Sequence, residues 1–302
     1  MIQHNRTLEN KMNLIEAVGI DWLERHIDEA LAEDLGQAGD ITCHATIPAP
    51  LQARAELVCK QAGIIAGSDW AVKCGERTVP EASWVFTVRD GERVEAGDVI
   101  AEVTGSLRGI LISERTALNG LGRLSGIATM TAEAMRRIKG TNAVVLETRK
   151  TTPGWRKAEK YAVRMGGAEN HRMGLYDEIL IKENHIDAAG GILNAIEGAK
   201  KWRQHDLKRK NIPIEIEVKN LEELETALEG KPERILLDNF NIDLLNRAVQ
   251  DNSGECVLEA SGGITLDNIE SIAHTGVERI SLGALTHSVK PLDLSLLVFE
   301  TS

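Results

Sequence analysis

The chain has 302 residues, 42% hydrophobic and 27% charged, with a formal net charge of -11. That length exceeds one core of ordinary size and suggests two domains or one large barrel, in an ordinary soluble globular protein. The acidic balance excludes a nucleic-acid binder with broadly spread positive charge, and the absence of any apolar run near ~18 residues excludes a membrane span.

The first segment, MIQHNRTLENKMNL, has no apolar core; it is read as a short extension before Ile15 and not as a secretory signal. Residues 21–33 have the pattern of an amphipathic helix. Residues 53–67 and 83–105 alternate apolar and polar positions around glycine turns, as antiparallel strands do. The hairpin GERVEAGDVIAEV (91–103) is similar to those of biotinyl and lipoyl carriers, but it holds no lysine to take a cofactor, so the likeness is structural only. Residues 110–139 have helical spacing interrupted by Gly120, Gly122 and Gly126. Each glycine costs a helix about 1 kcal/mol against alanine, which predicts either a kink or close packing there. Arg115, near the start of this helix, reads in isolation as an exposed helix residue. Cys43, Cys59, Cys74 and Cys256 form no CxxC pair and are spread too widely for a zinc site, so they are expected as reduced thiols in the core of a cytoplasmic protein.

Near residue 140 the organisation changes. Apolar, β-branched runs recur at 143–148, 178–183, 212–218, 234–239, 256–261 and 279–284, each followed by a turn and a helical pattern. Strands so apolar along their length expect cover on both faces, hence a parallel sheet. With no GxGxxG after the first strand, an α/β barrel is favoured over a dinucleotide fold. In such a barrel the strand C-terminal ends share one mouth, where active sites lie.

Arg149, Lys182, Glu217, Asp238, Ser261 and Gly283 stand at those ends. The segment 147–185 also concentrates eight Lys or Arg and two His against six acids, which in an acidic chain points to a small, multiply charged anion. Two cations can hold an anion, and two carboxylates on adjacent strands can hold a hard ion such as Mg²⁺ with phosphate oxygens. The glycine turns at 261–264 and 282–288 fall in the last two units, where barrels bind phosphate through loop amides. Each residue also has a plainer role. Glu217 within IEIEV can be a solvent-facing strand residue, Asp238 a helix cap, the glycines mere turns, and His171 and His185 structural histidines.

The chain resembles the quinolinate phosphoribosyltransferase family through ERTALN (114–119), LSGIAT (124–129), TRKTTPG (148–154), NHRMGL (170–175), ILIKENH (179–185), IEIEV (214–218), LLDN (236–239), EASGGI (259–264) and GALTHS (283–288). Gly120, Gly122, Trp155 and Glu169 depart from the family's pattern, and none is a candidate ligand. The resemblance implies an N-terminal α/β sandwich of residues 1–140, joined by the C-terminal segment 290–302, and an open α/β barrel over 141–289. It implies a homodimer or higher assembly with the site shared across the interface, Arg115 reaching the neighbouring subunit. Arg149, Lys150, His171, Arg172 and Lys182 would line the pyridine site. Glu217 and Asp238 would serve Mg²⁺ and the ribose diphosphate, and Ser261, Gly262, Gly263, Gly283, Ala284 and His287 the 5′-phosphate. The implied reaction joins quinolinate to phosphoribosyl pyrophosphate with loss of pyrophosphate and CO₂, in de novo NAD synthesis. Lys150, His171 and Lys182 are its expected catalytic residues, with the proton donor after decarboxylation left open among Lys150, His171 and water.

Two other readings compete. A Schiff-base barrel enzyme would use Lys182 as an amine nucleophile and would leave Glu217, Asp238 and both phosphate turns without work. A non-catalytic or altered-specificity relative, such as the molybdenum-transport-associated type, should show gaps in the cationic set, and none is found at the matched positions.

Overall fold

A computed structural model of the chain describes residues 12–78 and 82–302; the extension expected at the N-terminus therefore lies, as far as residue 11, outside the described residues. The chain forms two units. One comprises residues up to 129 with 157–165 and 290–302, the other residues 130–156 with 166–289.

In the first unit, Asn13 opens α1 (Leu14–Val18) with a capping box to Glu16, and α2 (Ile20–Leu35) buries Leu23, Ile27 and Leu31 at four-residue intervals. After α3 (Ile41–Thr46) come β1 (Gln52–Cys59), β2 (Gly63–Ile64), α4 (Ser68–Thr78), β3 (Ser83–Phe86), β4 (Arg93–Val94) and β5 (Val99–Ser106). Strand β1 lies between β5 and the C-terminal strand β12 (Leu294–Thr301), antiparallel to both, and β3 completes the sheet beside β5. The alternation in β1 buries Ala53, Ala55, Leu57 and Cys59.

Helix α5 (Leu107–Arg137) is one unbroken element of 31 residues, so its glycines serve close packing and not a kink. A Cβ on Gly120 would overlap the Trp70 indole, one on Gly126 the carbonyl of Lys290, and one on Gly122 would stand 3.0 Å from the carbonyl oxygen of Leu292. The division between units falls inside α5 instead of at residue 140, and most of α6 (Arg156–Met165) groups with the first unit instead of the barrel. The cause is visible in Glu159, fully buried on α6, which accepts a 2.6 Å ion pair from Arg123 of α5.

The second unit is built on six parallel strands, β6 (Val144–Leu146), β7 (Ile179–Ile181), β8 (Ile214–Val218), β9 (Arg234–Asp238), β10 (Val257–Ser261) and β11 (Arg279–Ser281). Between them run α7 (Glu183–Ala189), α8 (Ile192–Gln204), α9 (Leu221–Glu229), α10 (Ile242–Asn252) and α11 (Ile269–Ala273), and α12 (Ala284–His287) follows β11. The spatial order β6-β11-β10-β9-β8-β7 sets the first strand beside the last, as barrel closure does, and leaves the ring open between β6 and β7. A single bridge between Leu146 and Glu169 marks that gap. This is the α/β barrel expected from the spacing, open as the resemblance implies. Side chains that alternate outward, such as Ile214, Ile216, Val218, Ile235 and Leu237, are buried beneath the helices, and their neighbours along each strand point into the barrel.

Candidate active site

The strand ends meet as the barrel requires. Lys182 directly follows β7 and forms an ion pair with Glu217 of β8, whose side chain is 14% exposed. Asp238 ends β9 level with Ser261, the last residue of β10, and accepts from Asn239 Nδ2 at 2.9 Å. Asn239 adopts a left-handed φ of 58° and its N–H donates to the Ser261 carbonyl at 2.8 Å, which fixes the turn that follows. In that turn Gly262 has φ 89°, and a Cβ would run into the Asn239 side chain, so glycine is required there. Asn268 Nδ2 donates to the Gly263 carbonyl at 3.0 Å and closes the turn. At β11, Gly283 precedes α12; the Thr286 hydroxyl donates to the Lys150 carbonyl at 2.9 Å, and His287 Nδ1 lies 2.7 Å from the Ser288 hydroxyl.

Two cationic loops are held by a residue that sequence reasoning counted only as charge. Arg156 donates from Nε to the Thr151 hydroxyl at 3.0 Å, from Nη1 to the Met173 carbonyl at 3.2 Å and from Nη2 to the Arg149 carbonyl at 3.5 Å. It thereby staples the loop carrying Arg149 and Lys150 to the loop carrying His171 and Arg172. Asp177 accepts the N–H groups of Met173 and Gly174 at 2.6 and 2.9 Å and shapes the same loop. Burial, followed by the like charge of Arg149, lowers the Arg172 guanidinium below its ordinary value. Two guanidiniums that repel one another in a partly desolvated place favour an anion between them. His185 takes the plainer role, its Nδ1 accepting the Lys182 N–H at 2.9 Å at the start of α7.

Beneath the mouth lies a charged layer that sequence reasoning missed. Glu215 of β8 and Glu259 of β10 are fully buried, and Glu178 and His171 are nearly so. Glu259 accepts from Arg279 Nε at 2.7 Å and from the Ser281 hydroxyl, and its Oε1 is 3.3 Å from His171 Nε2. Glu178 accepts from Arg234 Nη1 at 2.8 Å, and its carbonyl from Arg172 Nη1 at 3.1 Å. Burial raises the Glu259 carboxyl, but the His171 hydrogen bond, the charge of Arg279 and the Ser281 hydroxyl overcome it and leave the group at about 2. Glu215 moves the other way: burial, with the charges of Glu259 and Glu178, pushes it well above the ordinary carboxylate range. The cross-strand register explains the layer, since it sets Glu259 beside Arg279 and Glu215 beside Arg234.

Ligand atoms of His171, Glu178 and Glu215 lie within 4.8 Å of one another. Arg234 already neutralises Glu178, and the Arg172 N–H occupies His171 Nδ1 at 2.7 Å, so the cluster is an ion network and not a seat for a cation. Both ring nitrogens of His171 are engaged by the protein, which argues against the expectation that it hands a proton directly to substrate. Glu217 and Asp238, hard oxygen donors at the mouth, suit a divalent cation better. The four cysteines are buried and free, and burial pushes the Cys43 and Cys59 thiols up to about 11. No helix among the described residues is long and apolar enough to cross a membrane.

Comparison with known proteins bears on the whole chain. The quinolinate phosphoribosyl transferase C-terminal domain matches residues 127–297 and the corresponding N-terminal domain residues 40–125. The chain is 41% identical over 291 residues to the chloroplastic nicotinate-nucleotide pyrophosphorylase [carboxylating] of Arabidopsis thaliana, covering 91% of this chain and 82% of that one. It is 40% identical to the protein of that name from Mycobacterium leprae, covering 89% and 95%. The solved nicotinate-nucleotide pyrophosphorylase of Francisella tularensis superposes with a TM-score of 0.88 at 40% identity, over 96% of this chain and 100% of that one. Both domains, matched in order over nearly the full length, show that the chain belongs to the quinolinate phosphoribosyltransferase family.

Proposed function

We propose that the open end of the six-stranded barrel is where this enzyme brings quinolinate and phosphoribosyl pyrophosphate together to form nicotinate mononucleotide, pyrophosphate and CO₂ in de novo NAD synthesis. The observation that carries the site assignment is the placement of Arg149 and Arg172 on two loops that Arg156 ties together through the carbonyls of Arg149 and Met173. Quinolinate is a pyridine with two adjacent carboxylates and matches such a pair, because guanidinium forks bind carboxylates bidentately. Lys182 and Lys150 add charge at the same rim.

The ribose diphosphate lies over the other half of the mouth. Its 5′-phosphate is taken by the turns Ser261–Gly263 and Gly283–His287, whose N–H groups and helix start favour an anion. Glu217 and Asp238 would hold Mg²⁺, which when bound would supply positive charge to the diphosphate. With both substrates seated, the ring nitrogen bonds to C1 of the ribose as the C1–O bond to pyrophosphate breaks, and the Lys150 ammonium offsets charge on that leaving group. The positive charge of the quaternary nitrogen then stabilises the carbanion left at C2 when the carboxylate departs as CO₂. A proton from Lys150 or from water completes C2; His171 orients this corner and does not supply the proton.

Arg115 is exposed on α5 beside buried Thr116, Ala117 and Leu118, and it forms no ion pair among the described residues. We read it as serving the mouth of a second copy in a homodimer or larger assembly. Mixed Arg115→Ala and Lys182→Ala subunits should regain activity, since one mouth of the heterodimer is whole; no recovery with exchange verified would sink the shared site. The free thiols suit a cytoplasmic setting. The assignment as a whole is tested by release of ¹⁴CO₂ from carboxyl-labelled quinolinate. Release that needs both phosphoribosyl pyrophosphate and Mg²⁺ is expected, and none from folded protein would overturn it.

A further inference from the structure

We infer that Glu259, which touches no substrate, is a positioning residue for the quinolinate pocket: its carboxylate holds His171 in the Nε2–H tautomer, and that ring in turn fixes the backbone from which Arg172 projects. The inference rests on the reading of Arg172 as a quinolinate ligand.

The geometry supplies each link. His171 Nδ1 accepts the Arg172 N–H at 2.7 Å, so that nitrogen carries no proton and the ring proton sits on Nε2. Nε2 faces Glu259 Oε1 at 3.3 Å and Glu215 Oε2 at 3.5 Å. Of the two, Glu259 is the fixed acceptor, because Arg279 Nε and the Ser281 hydroxyl already hold its carboxylate in place. The far nitrogen of a histidine sets the tautomer of the near one. Without the carboxylate, a proton on Nδ1 would oppose the Arg172 N–H and the loop would turn. The phosphate turn two residues beyond Glu259 is secured separately, by Asn239 and Asn268, so the effect should be confined to the pyridine side.

The test starts with the unaltered enzyme, free of ligand near neutral pH, with ring-¹⁵N-labelled histidine and the His171 signal assigned by its loss in His171→Gln. A single neutral Nε2–H tautomer is expected; an Nδ1–H or doubly protonated ring overturns the inference. The second arm is Glu259→Gln, compared well below its melting temperature. There the His171 signals should move toward a mixture of tautomers, and quinolinate Kd should rise about tenfold, the scale of one hydrogen bond to a charged group. The KM for phosphoribosyl pyrophosphate should stay within about twofold. Unchanged quinolinate affinity, or equal weakening of both substrates, overturns the positioning role. Arg172→Ala separates the two readings. Unchanged quinolinate affinity in that variant removes the pocket assignment itself, whereas loss there without loss in Glu259→Gln removes only the inference.

Discussion

Glu217 and Glu215 stand two residues apart on one strand and face the same barrel interior, as do Ser261 and Glu259 on another, yet the two layers behave oppositely. At the mouth, Lys182, Glu217 and Asp238 are partly exposed and lightly paired, so a ligand can take over their charges at little cost. Two residues deeper, Glu259 is locked to Arg279 and Glu178 to Arg234, with both carboxylates buried. A charge meant to exchange partners must stay near solvent, and a charge meant to hold a shape must not.

The sharpest way to break this contrast is Glu259→Ala, which strands Arg279 and the His171 ring in the interior. Removing one partner of a buried pair costs about 3–5 kcal/mol, which should lower the melting temperature by about 10 °C; Glu217→Ala should barely change it. A calorimetric scan in which the two variants melt alike would erase the distinction. The same carboxylate has a folded value of about 2, below its ordinary range. Its contribution is therefore complete above the unfolded value and is lost as pH falls from there through 2, so the gap between wild type and Glu259→Ala should narrow in acid.

A smaller effect is expected at the mouth, and it should appear in binding instead of stability. Arg172→Ala leaves one quinolinate carboxylate without its charge-assisted partner, a loss of about ten- to a hundredfold in affinity, readable by calorimetric titration. The melting temperature should hardly move. An Arg172→Ala protein that binds quinolinate normally would place the substrate elsewhere.

These layers were unequally legible in the sequence. The repeat of apolar runs put Lys182, Glu217, Asp238 and Ser261 at strand ends, and they stand at or beside the ends of β7, β8, β9 and β10, because a βα unit has a fixed length and its strands all end on one side. The family motifs then supplied what chemistry each end serves. The deeper layer escaped for a physical reason. In IEIEV the alternation looked like a half-exposed strand, whereas the barrel turns both glutamates inward, leaving Glu215 fully buried. Arg234 and Arg279 are the first residues of two of the apolar runs, and nothing along the chain assigns them a role. Their pairing depends on the register between strands about twenty residues apart, and spacing along the chain does not carry that register. Arg156 was hidden similarly, since its three acceptors lie on two loops that only folding brings together. The glycines of α5 left two outcomes open until the neighbours, Trp70 and the backbone near residue 290, were known.

The smallest expected effect is the most discriminating within the buried layer. Glu215 and Glu259 are equally inaccessible, but the two arginines of the layer pair with Glu178 and Glu259, which leaves Glu215 without an arginine ion pair among the described residues. Burial, with the charges of Glu259 and Glu178, pushes its carboxyl well above the ordinary carboxylate range, which favours the neutral acid. Glutamine has nearly the same shape and needs no partner ion, so Glu215→Gln should change unfolding free energy by less than about 1 kcal/mol in mild acid, at or below the unfolded carboxyl value. The sign of the pH dependence is opposite to that of Glu259. A carboxyl raised by folding keeps its full stability below the unfolded value and loses it as pH rises, so Glu215→Gln should gain on wild type toward alkaline pH. Denaturant titrations of both glutamine variants decide the matter. A loss at Glu215→Gln as large as that at Glu259→Gln would mean that both carboxylates are ionised, and that the interior is balanced by something other than the two arginine pairs.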